Sequence, residues 1–100
     1  MTASIRFILD HHESPLKVKE LASACFLSPV QFNRLFKERM GTTPVQYLLT
    51  VRVRMAAMAL LETDASVIEI ATSVGFESLS SFNRQFKAKM NMSPRQYRKA

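Results

Sequence analysis

The sequence predicts an all-α fold of about seven helices, in which two copies of one helical unit are joined by a long helix. Three observations predict it. The first is a repeat. The pattern FNRxFKxxM occurs at residues 32–40 and again at 82–90, and aligning Phe32–Tyr47 with Phe82–Tyr97 gives nine identities in sixteen positions. Self-similarity over two segments that make up about a third of a short chain marks a duplicated supersecondary unit. The second is paired punctuation: Ser28-Pro29 and Ser78 open the repeated helices, while Gly41 and Asn91 close them. The third is the unbroken run from Pro44 to about Glu62, VQYLLTVRVRMAAMALL at its heart, which is strong helix material.

Taken in order, residues 3–13 place Ile5, Ile8, Leu9 and His12 on one stripe of an amphipathic helix that Pro15 ends. A second helix over 18–25 carries Val18, Leu21, Ala22 and Cys25 at helical spacing. Lys17 precedes it, and an ammonium cannot accept the free helix N–H groups, so this start is expected to be loose. In the third helix, about 29–40, Ser28 is N-cap, Pro29 takes the first helical position and Gln31 completes a capping box. Thr43-Pro44 starts the long helix; at ~1.5 Å per residue it extends roughly 28 Å, near the ~34 Å between major-groove segments on one face of B-DNA. Ser66-Val67-Ile68-Glu69 reads as a further capping box, with Val67, Ile70, Ala71 and Val74 inward. Gly75 supplies a turn, Ser78 caps the helix of about 79–90, and Ser93-Pro94 opens the last helix. The repeat offset is 49 before the shared pattern and 50 after it, so one extra residue lies in the second turn, around Glu77. The organisation expected is a single domain over 1–100, with a first unit at 1–43, a linker helix at 44–63 and a second unit at 64–100.

A hydrophobic content of 47% in 100 residues supports a real core, which the two halves are expected to share. The net charge is +6, and it is unevenly placed: residues 1–77 hold eight basic and eight acidic side chains, whereas 78–100 hold Arg84, Lys87, Lys89, Arg95, Arg98 and Lys99 with no acid. Such a block marks a polyanion-binding surface or a solvated tail, and its overlap with the repeated helix favours the first. A single cysteine, Cys25, excludes an intrachain disulfide and suits a reducing cytoplasm. No apolar run approaches the ~18 residues of a membrane span, and no signal peptide is legible, so no membrane association is expected. His11 and His12 are adjacent and point apart, and Cys25 sits on an apolar stripe; no catalytic set, metal site or cofactor is expected from them.

Ile70-Ala71, Val74-Gly75-Phe76, Ser81-Phe82, Arg84, Phe86-Lys87, Ser93-Pro94 and Tyr97-Arg98, with Arg52, Ala56, Leu60-Leu61 and Thr63 in the linker, resemble the DNA-binding domain of the AraC/XylS family of bacterial transcription regulators. The resemblance runs from about Leu16 to Tyr97. It implies two helix-turn-helix units on a long linker helix, sequence-specific binding of double-stranded DNA, and no enzymatic activity. As further partners it implies RNA polymerase and a separate effector-sensing or dimerisation domain outside this chain. Three features depart from the family: Lys17 at a cap; Phe26 where the first turn wants a small or polar residue, so that a left-handed conformation there would be strained; and Met55, Ala57 and Met58 at linker positions that are usually polar. These bear on stability and partners.

In a helix-turn-helix unit the N-terminal part of the second helix meets base edges in the major groove. The outward positions are Val30, Asn33, Arg34 and Lys37 in the first copy and Ser80, Asn83, Arg84 and Lys87 in the second, flanked by Gln31 and Ser81. Arg pairs bidentately with guanine, Asn with adenine, and an apolar Val30 suits a thymine methyl. Lys37 and Lys87, one turn on, suit phosphates. For Gln31, capping and base reading remain two open roles. Against all this stands a plain solvated polar face, or an arginine paired to a nearby acid such as Glu38. A protein-interaction module contacting polymerase or a partner domain is the main alternative. RNA binding is a weaker one, because no stacking aromatic side chain sits on the basic face.

Overall fold

The helices of a computed structural model of this chain begin and end where the cap residues dictate. Residues 2–13 and 17–100 are described, and among these there are seven α-helices and no strand. They are α1 (Thr2–His11), α2 (Val18–Ala24), α3 (Pro29–Met40), α4 (Pro44–Glu62), α5 (Val67–Ser73), α6 (Leu79–Met90) and α7 (Pro94–Lys99). Two compact units are distinguished, one running to Leu49 and the other spanning Thr50–Ala100. The linker helix α4 starts in the first and continues into the second.

In the first unit α1 packs on α2, and α2 on α3. Ile8, Leu21, Ala22, Phe32, Phe36 and Leu48 form its core. The buried stripe of α1 is Ser4, Ile8 and His12, at spacings of four. Leu9 does not join it: one residue on from Ile8 is a rotation of ~100°, which carries Leu9 out to solvent. Pro15, the expected stop of this helix, lies outside the described residues; α1 ends at His11. As expected, Lys17 caps α2 without any side-chain hydrogen bond. Ser28 and Gln31 form the full reciprocal box on α3.

The second unit repeats this grammar. Ile70, Ala71, Val74, Phe76, Phe82 and Phe86 are buried, together with Val53, Ala56 and Leu60 of α4. Of the box expected at Ser66, one half forms: its hydroxyl accepts from Glu69 N at 3.2 Å. The ring geometry is nearly the same in both copies. Phe32–Phe36 and Phe36–Tyr47 have centroids 5.7 Å apart, and Phe82–Phe86 and Phe86–Tyr97 stand at 5.6 Å. The second copy adds Phe76 edge-on to Phe82 at 5.2 Å.

Both repeated helices stop in a left-handed residue, Gly41 at φ 76° and Asn91 at φ 61°. A Cβ on Gly41 would meet nothing within 4 Å, so it is the dihedral and not space that calls for glycine there. The interhelical turns also match. In the first, Phe26 N and Leu27 N donate to Ser23 O and Ala22 O; in the second, Gly75 N and Phe76 N donate to Thr72 O and Ala71 O. The shared geometry needs positive φ, and Gly75 provides it at 104°. In the first copy Phe26 is forced to φ 59°, a conformation that costs an L-residue roughly 1–2 kcal/mol.

Two arginines brace the second unit. Arg98, on α7, donates from Nε to Leu60 O at 3.0 Å and from one terminal nitrogen to Thr63 O at 3.2 Å and Ala65 O at 2.7 Å. Its guanidinium thus closes the C-terminal end of α4, where unsatisfied carbonyls favour a cation. Arg52 is buried with its guanidinium 6.0 Å from the Phe76 ring centre. Burial pushes its pKa down, while the negative charge of Glu77, in the longer second turn, pushes it back up.

Candidate nucleic-acid interface

The phase of each repeated helix is set from its core side. Phe32 and Phe36 are wholly buried on α3, as are Phe82 and Phe86 on α6. Two anchors one turn apart on one face leave the opposite face in solvent. On α3 that face presents Val30, Gln31, Arg34 and Lys37 as exposed residues, with Asn33 half-buried. On α6 Ser80, Asn83, Arg84 and Lys87 are exposed and Ser81 is half-buried. Each expected set is therefore gathered on one helix. Among the described residues, the side chains of Asn33, Arg34, Lys37, Asn83, Arg84 and Lys87 have no hydrogen-bond or ion-pair partner, and Arg34 is not paired with Glu38. Six polar or charged groups that serve no internal contact are available for an external one.

Arg84 stands near the middle of the exposed face, whereas Asn83 and Lys87 border an apolar hollow of about 330 Å³ with Val67, Leu79, Pro94 and Arg95. The helical rotation of ~100° between neighbours explains the split: Arg84 points away from the core Phe residues and Asn83 lies to one flank.

The capping residues have a prior engagement. Ser28 Oγ accepts from Gln31 N at 3.2 Å, and Ser78 Oγ accepts from Ser81 N at 3.1 Å. Gln31 Oε1 accepts in turn from Ser28 N at 3.1 Å. Bidentate reading of adenine uses an amide both as acceptor and as donor. With its oxygen committed to the cap, Gln31 offers only N–H donors until the box opens.

The composition of residues 78–100 concealed Arg98. Reading that block as uniformly free charge missed a guanidinium turned inward onto three carbonyls, and charge counting carries no signal that would have found it. Arg84, Lys87, Arg95 and Lys99 remain exposed. His11 stacks on Phe7 at 4.2 Å, His12 lies 3.9 Å from the Glu13 carboxylate, and Cys25 is half-buried. Among the described residues no group of three or more His, Cys, Asp or Glu side chains is placed to hold a metal. Among the described residues no helix is long and apolar enough to cross a membrane.

Two short helix–turn–helix pairs, each ending in a helix with a free cationic face, define the class: a DNA-binding domain. A family profile described as "Helix-turn-helix domain" matches residues 21–100. The chain belongs to the AraC-type helix-turn-helix family of transcription regulators. It is 39% identical over 75 residues to the probable transcriptional regulator LumQ of Photobacterium leiognathi, a match covering 75% of this chain and 30% of LumQ. The DNA-binding domain of AdpA, solved in complex with a target DNA, is 32% identical with a TM-score of 0.93, covering 98% of this chain and 88% of that one. A transcriptional regulator with an AraC-type DNA-binding domain from Chromobacterium violaceum is 31% identical with a TM-score of 0.90, covering 98% and 88%. This chain thus spans about a third or less of the length of LumQ and of the regulators MtrA and ArgR.

Proposed function

We propose that this domain binds a specific sequence of double-stranded DNA as part of a bacterial, cytoplasmic transcription regulator, placing α3 and α6 in two major-groove segments of one bipartite site. The observation that carries this is the twin set of unengaged Asn, Arg and Lys side chains on two helices of matched phase. Arg34 and Arg84 pair with guanines, Asn33 and Asn83 with adenines, and Val30 meets a thymine methyl. Lys37 and Lys87 take phosphates. Ser80, Ser81 and Gln31 flank these contacts, Gln31 as a donor. The likeness to a domain solved on its target DNA supports the reading.

Duplex titration at rising ionic strength tests it. Releasing counterions from several phosphates makes affinity fall by about 10³–10⁵ between roughly 50 and 200 mM salt. Affinity that stays level over this range would show that DNA is not the ligand of these faces.

A protein contact is favoured by a separate observation. Met55, Met58 and Leu61 on α4 are exposed, at 40, 51 and 58%. Methionine adapts readily to a partner surface. RNA polymerase or an effector-sensing domain is the partner proposed for this face; DNA remains the partner of α3 and α6.

A further inference from the structure

Among the described residues Phe26 is the most exposed large apolar side chain. It is 96% exposed, and it occupies a left-handed position at φ 59°. The second copy shows what this turn requires. Gly75 holds the equivalent place with the same hydrogen-bonding pattern and no side chain at all. Phe26 therefore destabilises the turn through its Cβ and recovers nothing by packing. Strained residues that internal contacts do not explain cluster at functional sites.

Its surroundings indicate which function. Phe26 lies two residues before the Ser28 cap of α3 and four before Val30, which is 78% exposed. The turn before α3 and the first residues of α3 thus carry two large exposed apolar side chains, Phe26 and Val30. The corresponding positions in the second copy are Gly75, which has no side chain, and Ser80, which carries a hydroxyl. The N-terminal end of such a helix is the part that approaches base edges, and among base edges the thymine methyl is the feature that phenylalanine and other apolar groups recognise.

We infer that Phe26 is a specificity residue of the first unit, extending the apolar contact of Val30 to the methyl group of a neighbouring thymine. This rests on the proposal that α3 enters the major groove, and it adds a contact from the turn itself. The two units then read DNA by different chemistry: the first through methyl groups as well as hydrogen bonds, the second through hydrogen bonds and charge.

The test uses a duplex carrying the protein's selected site, with each thymine of the first half-site replaced singly by uracil, which removes only the methyl group. Wild-type protein should lose about fourfold in affinity at each methyl it buries. F26G should become indifferent to one uracil position at which wild type and V30A both respond, and F26Y should behave as wild type. F26G should also melt about 3–6 °C higher, because the left-handed strain is relieved. F26A should lose the same contact without that gain, which separates strain from recognition. The inference fails if F26G and wild type share one uracil profile, whether or not stability rises. It fails equally if F26G binds DNA normally but impairs transcription, since Phe26 would then meet a protein. If wild type itself showed no preference among duplexes, the DNA-binding reading would fall first.

Discussion

The two helix-turn-helix units are the same inside and different outside. Their ring triads, Phe32–Phe36–Tyr47 and Phe82–Phe86–Tyr97, agree in spacing to about a tenth of an ångström, and both recognition helices stop in a left-handed residue. Around that common core the first unit has a strained, exposed Phe26. The second has Gly75, a longer turn facing Arg52, and the acid-free stretch 78–100 with its six cationic side chains. Duplication kept what packing demands and released what the surface can vary. A core position answers to its neighbours on every side, whereas a surface position answers only to the partner it meets.

The largest effects should show the common interior. F36A and F86A each remove a wholly buried ring that touches a second ring and a tyrosine, and each should cost about 3–5 kcal/mol in denaturant unfolding. A loss below about 1 kcal/mol in one unit alone would break the equivalence of the two cores. Next comes an asymmetry. R98Q removes three charge-assisted bonds to Leu60, Thr63 and Ala65, for which the first unit has no counterpart at this site. It should destabilise the domain by about 1.5–3 kcal/mol. If R98Q instead left melting unchanged and lowered only DNA affinity, Arg98 would be a phosphate contact after all.

Much of this was legible in the sequence, for physical reasons that can be named. Caps depend on local chemistry, so Ser28, Gly41, Ser78, Asn91 and Ser93 announced the helix ends directly. The buried and exposed faces of α3 and α6 followed from the spacing of their phenylalanines. Long-range contacts left no such trace. Nothing in the periodicity of residues 94–99 shows that Arg98 reaches back 38 positions to a carbonyl of α4. Leu9 was misplaced because an apolar residue beside a stripe is spelled like one within it. Phe26 was legible as a strained position, but its exposure depended on what the folded turn places around it.

Smaller effects sharpen the contrast in charge. K87Q should weaken binding to all duplexes about equally and reduce the slope of log affinity against log salt by about one. K37Q should do the same on the first unit, but from a lower starting share of the affinity, because α3 also carries the acidic Glu38 whereas α6 carries no acid. A change in base preference with an unchanged slope would assign either lysine to a base edge. The smallest expected effect on the isolated domain is at α4. Met58 is half exposed, so M58Q should alter melting and DNA affinity by no more than about 0.5 kcal/mol while lowering the transcriptional response of a full regulator. Unfolding by M58Q would make this residue part of the core.

On the proposed reading, two helices of one monomer each read their own part of a single site. Selection of binding sites from random duplex DNA, run in parallel with wild type, R34A and R84A, tests it most directly. Wild type should yield two blocks of preferred bases. Each arginine variant should lose about 1–3 kcal/mol of discrimination in one block and keep the other intact. A single block, or two variants that weaken every position alike, would contradict the account.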